Sequence, residues 1–207
     1  MLSIIQAAGW PIWPLILCSV LALAIVIERF INLKASKIVP EPLLDEVLGV
    51  TQSGVPTADV IAQLEQNSAL GEVLASGLRC VNNNPRYSED DLRESLEAAG
   101  RRVAQRLENY LPALATIASA APLLGLLGTV IGMIEIFGSQ APSGAGSNPA
   151  QLAHGISVAL YNTAFGLIVA IPSLIFWRYF RARVDAYLLT LELSAARLAS
   201  HLKGLRR

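Results

Sequence analysis

Two long stretches without a basic residue constrain this chain more than any other feature of its sequence. No Lys or Arg occurs in residues 1–28 or 107–177, and all sixteen lie in the remaining segments. A mean hydropathy of +0.49 is also too high for an ordinary soluble domain. The stretches contain three apolar runs that can each cross a hydrocarbon core of about 30 Å, at 10–27, 111–137 and 155–177. We therefore predict an all-α membrane protein with three transmembrane helices.

The basic residues also predict orientation, because cytosolic segments of membrane proteins are enriched in Lys and Arg. We expect a retained first helix rather than a signal peptide, because Glu28-Arg29-Phe30 follows it where a cleavage site needs small residues. The predicted location is the bacterial inner membrane. The predicted segments are a periplasmic N-terminus 1–9, a first transmembrane helix 10–31, a cytosolic helical region 32–110, a second transmembrane helix 111–137, a periplasmic loop 138–154, a third transmembrane helix 155–177 and a cytosolic C-terminal helix 178–207.

Pro, Gly and Asn residues divide the cytosolic region into short helices, which we predict at 41–52, 57–67 and 69–82. Ser88 with Asp91 forms a capping-box pattern that predicts a new helix start. No turn signal follows, so one helix should run from about 88 to 137, with Pro112 and Pro122 as sites of kinking. The third span should likewise continue through a seven-residue apolar repeat, whose partner is the chain's own 88–110 helix, another subunit or both. The repeat comprises Val184, Leu188, Leu191, Ala195, Leu198, Leu202 and Leu205.

The second and third spans each carry one threonine within a stripe of small residues. Spacings that alternate three and four place each stripe on one helical face. Such faces allow helices to approach closely, and they suit either helix packing or the lining of a pore. The stripe of the second span is Ala115, Ala118, Pro122, Gly125, Thr129 and Gly132, and that of the third is Gly155, Ala159, Thr163, Gly166, Ala170 and Ser173.

The two threonines are predicted to lie at one depth. Thr129 precedes Phe137 by eight residues, and Thr163 follows Gly155 by eight. Because the spans run antiparallel, both hydroxyls should lie roughly 12 Å from the same membrane surface. This is the geometry of a narrow polar point in a helical pore. The alternative is that each hydroxyl only bonds its own or a neighbouring helix, a contact worth about 0.6 kcal/mol.

The sequence carries no signature of an enzyme. It lacks a phosphate-binding Gly-Lys loop and a nucleophile elbow, and His154 and His201 are isolated from other metal ligands. We therefore expect no catalytic activity, no cofactor, no metal and no nucleic-acid partner.

Several segments together resemble the MotA/TolQ/ExbB proton-channel family, and in particular its ExbB/TolQ branch. They are the Glu28-Arg29 pair after the first span, the lead-in LEAAGRRVAQRLENYLPALATIASAAP (96–122), and the segments APLLGLLGTVIGMIEIF (121–137) and GISVALYNTAFGLIVAIP (155–172). The resemblance covers nearly the whole chain and is most specific around the two threonines.

This resemblance implies a homo-oligomer, a pentamer, whose second and third spans line a central pore in the lipid membrane. The pore would hold single-span helices of a partner resembling ExbD or TolR, whose membrane aspartate carries the proton past Thr129 and Thr163. Proton flow would drive work on a TonB-like or TolA-like protein that spans the periplasm, and both systems remain open. The competing hypothesis is a non-conducting oligomeric scaffold that anchors a single-span partner.

One position departs from the family pattern. ExbB-type segments carry a glutamate five residues before the threonine of the third span, and this chain has Val158 there. Glu135 lies two residues from the outer end of the second span, and Val158 lies three from that of the third. We therefore predict that Glu135 supplies the missing carboxylate near the outer entrance. The alternative is that Glu135 is an ordinary interface residue.

Overall fold

The computed structural model describes residues 10–52, 54–84, 86–138 and 149–205. All regular secondary structure within these ranges is helical, which confirms the predicted all-α class. The predicted periplasmic N-terminus (1–9) and most of the loop 138–154 lie outside the described residues. The helices of the described part are α1 (Ile12–Asn32), α2 (Ala35–Ile38), α3 (Leu43–Gln52), α4 (Ala58–Asn67), α5 (Ala69–Asn83), α6 (Glu89–Leu107), α7 (Leu111–Gly138) and α8 (Pro149–Leu205).

The short helices predicted before residue 88 are confirmed, with ends within two residues of the expected ones, and only the four-residue α2 is missed. The capping box at the start of α6 is also confirmed. The Ser88 hydroxyl accepts a hydrogen bond from the Asp91 N–H at 3.0 Å, and the Asp91 carboxylate accepts one from the Ser88 N–H at 2.8 Å. Two backbone donors of the first turn are thereby satisfied.

The helix predicted from 88 to 137 is confirmed as one long run, Glu89–Gly138, which is interrupted just before Pro112, one of the two predicted sites of kinking. The backbone leaves the helix between α6 and α7, and Tyr110 adopts a φ of 63°. Pro112 explains the interruption, because its nitrogen has no hydrogen to donate to the carbonyl of Glu108 four residues earlier. The buried Arg29 side chain donates a hydrogen bond to the Leu107 carbonyl at 3.2 Å. A cation thereby satisfies one of the last carbonyl groups of α6, which have no partner within the helix. At Pro122, by contrast, the helix continues.

Helix α8 is continuous over 57 residues, which confirms that the third span extends beyond the membrane without a break. Its distal part contacts α6 of the same chain. Lys203 pairs with Glu89 at 2.8 Å, and Arg181 pairs with Glu108 at 3.1 Å. The apolar repeat of α8 therefore has a partner within its own chain.

The chain divides into two compact units. The membrane unit comprises Met1–Glu28 and Tyr110–Tyr179, and the extramembrane unit comprises Arg29–Asn109 and Phe180–Arg207. Three helical runs are long and apolar enough to cross a membrane, Ile12–Asn32, Glu89–Gly138 and Gly155–Gly204. In the membrane unit many large apolar side chains are exposed, as expected of a lipid-facing surface. Examples are Leu17, Leu23, Leu123, Ile134, Leu160 and Ile168.

The extramembrane unit has a conventional core of large side chains. Phe30 stacks edge-to-face on Phe180 with ring centroids 5.0 Å apart, and the Tyr187 hydroxyl donates to the Leu33 carbonyl at 3.0 Å. Four members of the predicted repeat of α8 are buried, namely Val184, Leu191, Leu198 and Leu202, while Leu188 and Ala195 are half-buried. Phe180 and Tyr187, which the repeat did not include, are buried as well.

Candidate functional site

The small-residue stripes of α7 and α8 face each other within the membrane unit. A Cβ atom at Gly125 would lie 3.0 Å from the Thr163 Cα and 3.3 Å from the Gly166 Cα. A Cβ atom at Gly166 would lie 2.6 Å from the Ala121 carbonyl oxygen. Only glycine permits these approaches, so the stripes bring the two backbones into direct contact.

A second close contact involves a residue that was not included among the predicted site residues. Asn162 is buried in the third span, and a Cβ atom at Gly128 would lie 2.7 Å from the Asn162 Cβ and 2.8 Å from its amide nitrogen. Gly128 therefore provides the space that the Asn162 side chain occupies. The sequence signal for this close packing is the four-residue spacing of Gly128 and Gly132. A Cβ atom at Gly132 would lie 3.1 Å from the Ala159 Cβ.

These contacts determine the relative depth of the two threonines. Gly125 contacts Gly166 while Gly132 contacts Ala159, so the helices run antiparallel. Thr129 follows Gly128, which contacts Asn162, and Thr163 is the next residue along α8. At about 1.5 Å per residue, Thr129 and Thr163 lie less than one turn, about 5 Å, apart in depth.

The threonines also lie on one side of the helix pair. Thr129 follows Gly125 by four residues and lies about 40° round α7 from that contact. Thr163 precedes Gly166 by three residues and lies about 60° round α8 from it. When each helix is viewed from its own N-terminus, the rotations from glycine to threonine have the same direction. Because the helices are antiparallel, both offsets turn to the same side. Two half-buried hydroxyl residues thus share one depth and one face.

The Thr129 hydroxyl can act as an acceptor at this point. The Thr129 hydroxyl donates to the Leu126 carbonyl at 2.7 Å, which uses its one proton and leaves lone pairs for a ligand. The Ser173 hydroxyl makes a similar bond to the Val169 carbonyl at 2.7 Å, and Ser173 is buried. The Ser173 hydroxyl therefore has its hydrogen-bond partner within its own helix. Of the other predicted stripe residues, Ala118, Ala159 and Ala170 are buried and Pro122 is half-buried.

Glu135 is not brought to the threonines. It follows Thr129 by six residues and so lies about 120° round α7 from it. Its side chain is exposed. Two contacts between α7 and α8 bracket its depth: Gly132 meets Ala159, and Ile136 meets Gly155. Glu135 and position 158 both lie between these contacts, so they lie at a similar depth. The predicted match in depth between Glu135 and position 158 is therefore present. Glu135 lies, however, on a different face of α7 from Thr129.

These features define a helical membrane protein whose second and third spans pack through glycines around a matched pair of threonines. Among the described residues, no group of His, Cys, Asp and Glu could hold a metal ion. A family model described as the MotA/TolQ/ExbB proton channel family matches residues 65–193. The chain belongs to this family of channels, which is not a known enzyme family.

Individual relatives confirm the ExbB/TolQ branch. The biopolymer transport protein exbB1 of Vibrio cholerae is 33% identical over 172 residues, which cover 81% of this chain and 73% of that protein. An ExbB-like biopolymer transport protein of Synechocystis sp. is 34% identical over 180 residues, 86% of this chain and 83% of the relative. The Tol-Pal system protein TolQ of Haemophilus influenzae is 37% identical over 130 residues, 62% of this chain and 56% of TolQ.

Proposed function

We propose that this chain is the channel-forming subunit of a homo-oligomeric, pentameric proton-channel motor in the bacterial inner membrane. The carrying observation is that Thr129 and Thr163 share one depth and one face of the α7–α8 pair. The N-terminus would be periplasmic and the extramembrane unit cytosolic, in accordance with the distribution of Lys and Arg. The protein acts as a channel and not as an enzyme.

The proposed partner is a single-span protein of the ExbD or TolR kind with a carboxylate in its membrane helix. The threonine face of each subunit would turn toward this helix. A threonine hydroxyl can accept a hydrogen bond from the carboxylic acid or, by turning away from a carbonyl of its own helix, donate one to the anion. Neither bond traps the carboxylate as a fixed cation would. The carboxylate can therefore take up a proton from one side and release it to the other.

The driving force is adequate for mechanical work. Each elementary charge that crosses the membrane releases about 2.3 kcal/mol per 100 mV. Repeated transfers would move the pore helices against the partner, which passes the work to a periplasm-spanning protein of the TonB or TolA kind. The close glycine contacts would keep α7 and α8 of each subunit together as one wall of the pore.

The test is proton flux in liposomes containing the complex of this chain with its single-span partner. Thr129→Val and Thr163→Val keep the side-chain volume and remove the hydroxyl. Each should lower the flux about tenfold or more, because a hydrogen bond to a charged group contributes about 1.5–3 kcal/mol. Thr163→Ser should retain flux. The matched control is Thr116→Val, an exposed threonine of α7 whose hydroxyl donates to the Pro112 carbonyl at 2.9 Å.

A non-conducting scaffold predicts a different result. It would tolerate both valine substitutions, and the wild-type complex would conduct no more protons than empty liposomes. Glu135→Gln and Glu135→Ala form a second arm of the same experiment. If Glu135 supplies the missing carboxylate, both variants should lower the flux, and unchanged flux in both would remove Glu135 from the pathway while leaving the threonine proposal intact.

A further inference from the structure

Asn162 carries a polar side chain into a helix contact that is made mainly of small residues. It lies in the membrane-spanning part of α8 and is 2% exposed. Ala159 and Gly166 are its neighbours on the contacting face, three residues before it and four after it. A primary amide has two N–H donors and one acceptor oxygen, and exposing them to lipid is costly. The contact between α7 and α8 is therefore a much better environment for this side chain than a lipid-facing surface.

Gly128 of α7 provides the recess that holds the Asn162 side chain. A Cβ atom at Gly128 would lie 2.7 Å from the Asn162 Cβ, 2.8 Å from its Cγ and 2.8 Å from its Nδ2. These distances are shorter than non-bonded contacts allow, so the side chain fills the space that any larger residue at position 128 would need. Rotation of α8 about its own axis would take the amide out of this recess and toward lipid.

The small residues and the amide contribute to this contact in different ways. Gly125 meets Gly166 and Gly132 meets Ala159, and these contacts bring the two backbones close together. Glycine and alanine carry no polar side chain that exposure to lipid would penalise. The small residues therefore determine how closely α7 and α8 approach, and the amide of Asn162 adds a penalty for rotating α8 away from this arrangement.

Each threonine lies one residue beyond the contact of Asn162 with Gly128. Thr129 follows Gly128, and Thr163 follows Asn162. One residue corresponds to a turn of about 100° about the helix axis and a rise of about 1.5 Å. Both turns have the same direction when each helix is viewed from its own N-terminus, so in the antiparallel pair both lead to the same side. The two rises are opposite, so the threonines differ in depth by only about 3 Å. The position of Thr163 beside Thr129 therefore depends on this contact.

We propose that Asn162 is a positioning residue for the proton path. Its amide, held in the recess at Gly128, keeps α8 in the rotation that turns Thr163 to the side of Thr129. The proposal rests on the proposed function, because the threonine pair is the part of the channel that it concerns. Asn162 is buried in the helix contact and acts through Thr163 rather than on the proton or the partner's carboxylate.

Proton flux in liposomes containing the complex of this chain with its single-span partner tests the role of Asn162. Asn162→Leu keeps the number of side-chain heavy atoms and the branch at Cγ, but it removes the amide. Because lipid is as apolar as leucine, this variant loses the preference for the recess, and we expect the flux to fall about threefold. The matched control is Ser157→Ala, which should keep wild-type flux. Ser157 is an exposed polar residue of α8 whose hydroxyl donates to the Ala153 carbonyl at 2.9 Å.

Combination with Thr163→Val distinguishes positioning from a general effect on stability. If Asn162 acts through Thr163, adding Asn162→Leu to Thr163→Val should lower the flux no further, because the hydroxyl that it positions is already absent. A residue that only holds the two helices together would lower the flux by the same factor in both backgrounds. Equal factors would therefore overturn the positioning role.

A second measurement detects rotation of α8 without depending on flux. In a background with Cys18→Ser and Cys80→Ser, the single substitutions Thr163→Cys and Ile168→Cys are labelled in membranes with a water-soluble thiol reagent, which reacts with the thiolate. Ile168 lies about 140° round α8 from Thr163 and is 63% exposed. We expect Thr163→Cys to react faster than Ile168→Cys, and Asn162→Leu to reduce this ratio of rates about threefold.

The outcomes separate this proposal from the proposed function. Wild-type flux in Asn162→Leu, or an unchanged ratio of labelling rates, would overturn the positioning role. If Thr163→Val still lowers the flux, the proposed function remains. Thr163→Cys that reacts no faster than Ile168→Cys beside an intact Asn162, together with wild-type flux in Thr163→Val, would overturn the proposed function as well.

Discussion

Helix α8 uses two different kinds of contact along its length. In the membrane unit it meets α7 through glycine, alanine and the backbone itself, with its large side chains turned outward. In the extramembrane unit the same helix packs through large side chains and buries Phe180, Leu191 and Leu198. One continuous helix therefore packs through small residues in one half and through large residues in the other.

The difference follows from the surrounding solvent. Lipid is as apolar as leucine, so burying a large side chain between spans gains little, and helices associate through close backbone approach and dispersion contacts. In water each Å² of apolar surface buried contributes about 25 cal/mol, so large side chains are placed inside. The two halves should consequently respond in opposite ways to changes in side-chain size.

The largest effect is expected from removing a large side chain outside the membrane. Leu198→Ala should destabilise the extramembrane unit by about 3 kcal/mol, because Leu198 is fully buried and the change leaves a cavity. Amide hydrogen exchange of α5 and α6 should accelerate accordingly. The matched control is Leu160→Ala in the membrane half, where the leucine is 60% exposed. Equal acceleration in both variants would contradict the comparison.

The second-largest effect is expected from adding a large side chain inside the membrane unit. Gly166→Leu adds a side chain where a Cβ atom would already lie 2.6 Å from the Ala121 carbonyl oxygen. We expect a loss of about 2 kcal/mol from overpacking, seen as a lower thermal midpoint of the protein in detergent. Gly49→Leu is the control, because nothing lies within 4 Å of a Cβ atom there. A wild-type midpoint for Gly166→Leu would show that α7 and α8 can separate freely.

The smallest effect concerns pH and is confined to the start of α6. Hydrogen bonds from Ser88 hold the pKa of Asp91 below its ordinary value of 3.8. A carboxyl with a depressed folded-state pKa contributes stability above the unfolded pKa, and this is lost as the pH falls through the folded value. Amide protection of residues 89–92, corrected for intrinsic exchange, should therefore fall at acidic pH.

Asp91→Asn should remove this pH dependence and show weaker protection already at neutral pH. Glu94→Gln is the matched control, because Glu94 lies outside the capping box on the same helix. If the wild type and Asp91→Asn exchange alike at every pH, the capping box contributes nothing measurable to α6.

The sequence predicts much of this architecture because the relevant signals are local. Hydropathy marked the spans, turn residues separated the short helices, and the Ser88–Asp91 pattern located the start of α6. The sequence marked both Pro112 and Pro122 as sites of kinking, but it could not show that the helix is interrupted before Pro112 and continues through Pro122. A proline can be tolerated near the start of a helix, or it can kink or end the helix. The outcome here involves the hydrogen bond from Arg29 to the Leu107 carbonyl, and these two residues are 78 positions apart in the sequence.

The candidate site divides in the same way. Residue type and spacing determined that both threonines lie on stripes of small residues and at a similar depth, because helical periodicity fixes faces and heights along one helix. The tertiary structure decided which side of the contact each polar residue takes. It placed Thr129 and Thr163 together, set Asn162 against Gly128 and left Glu135 on another face, because these relations depend on how two antiparallel helices are rotated against each other.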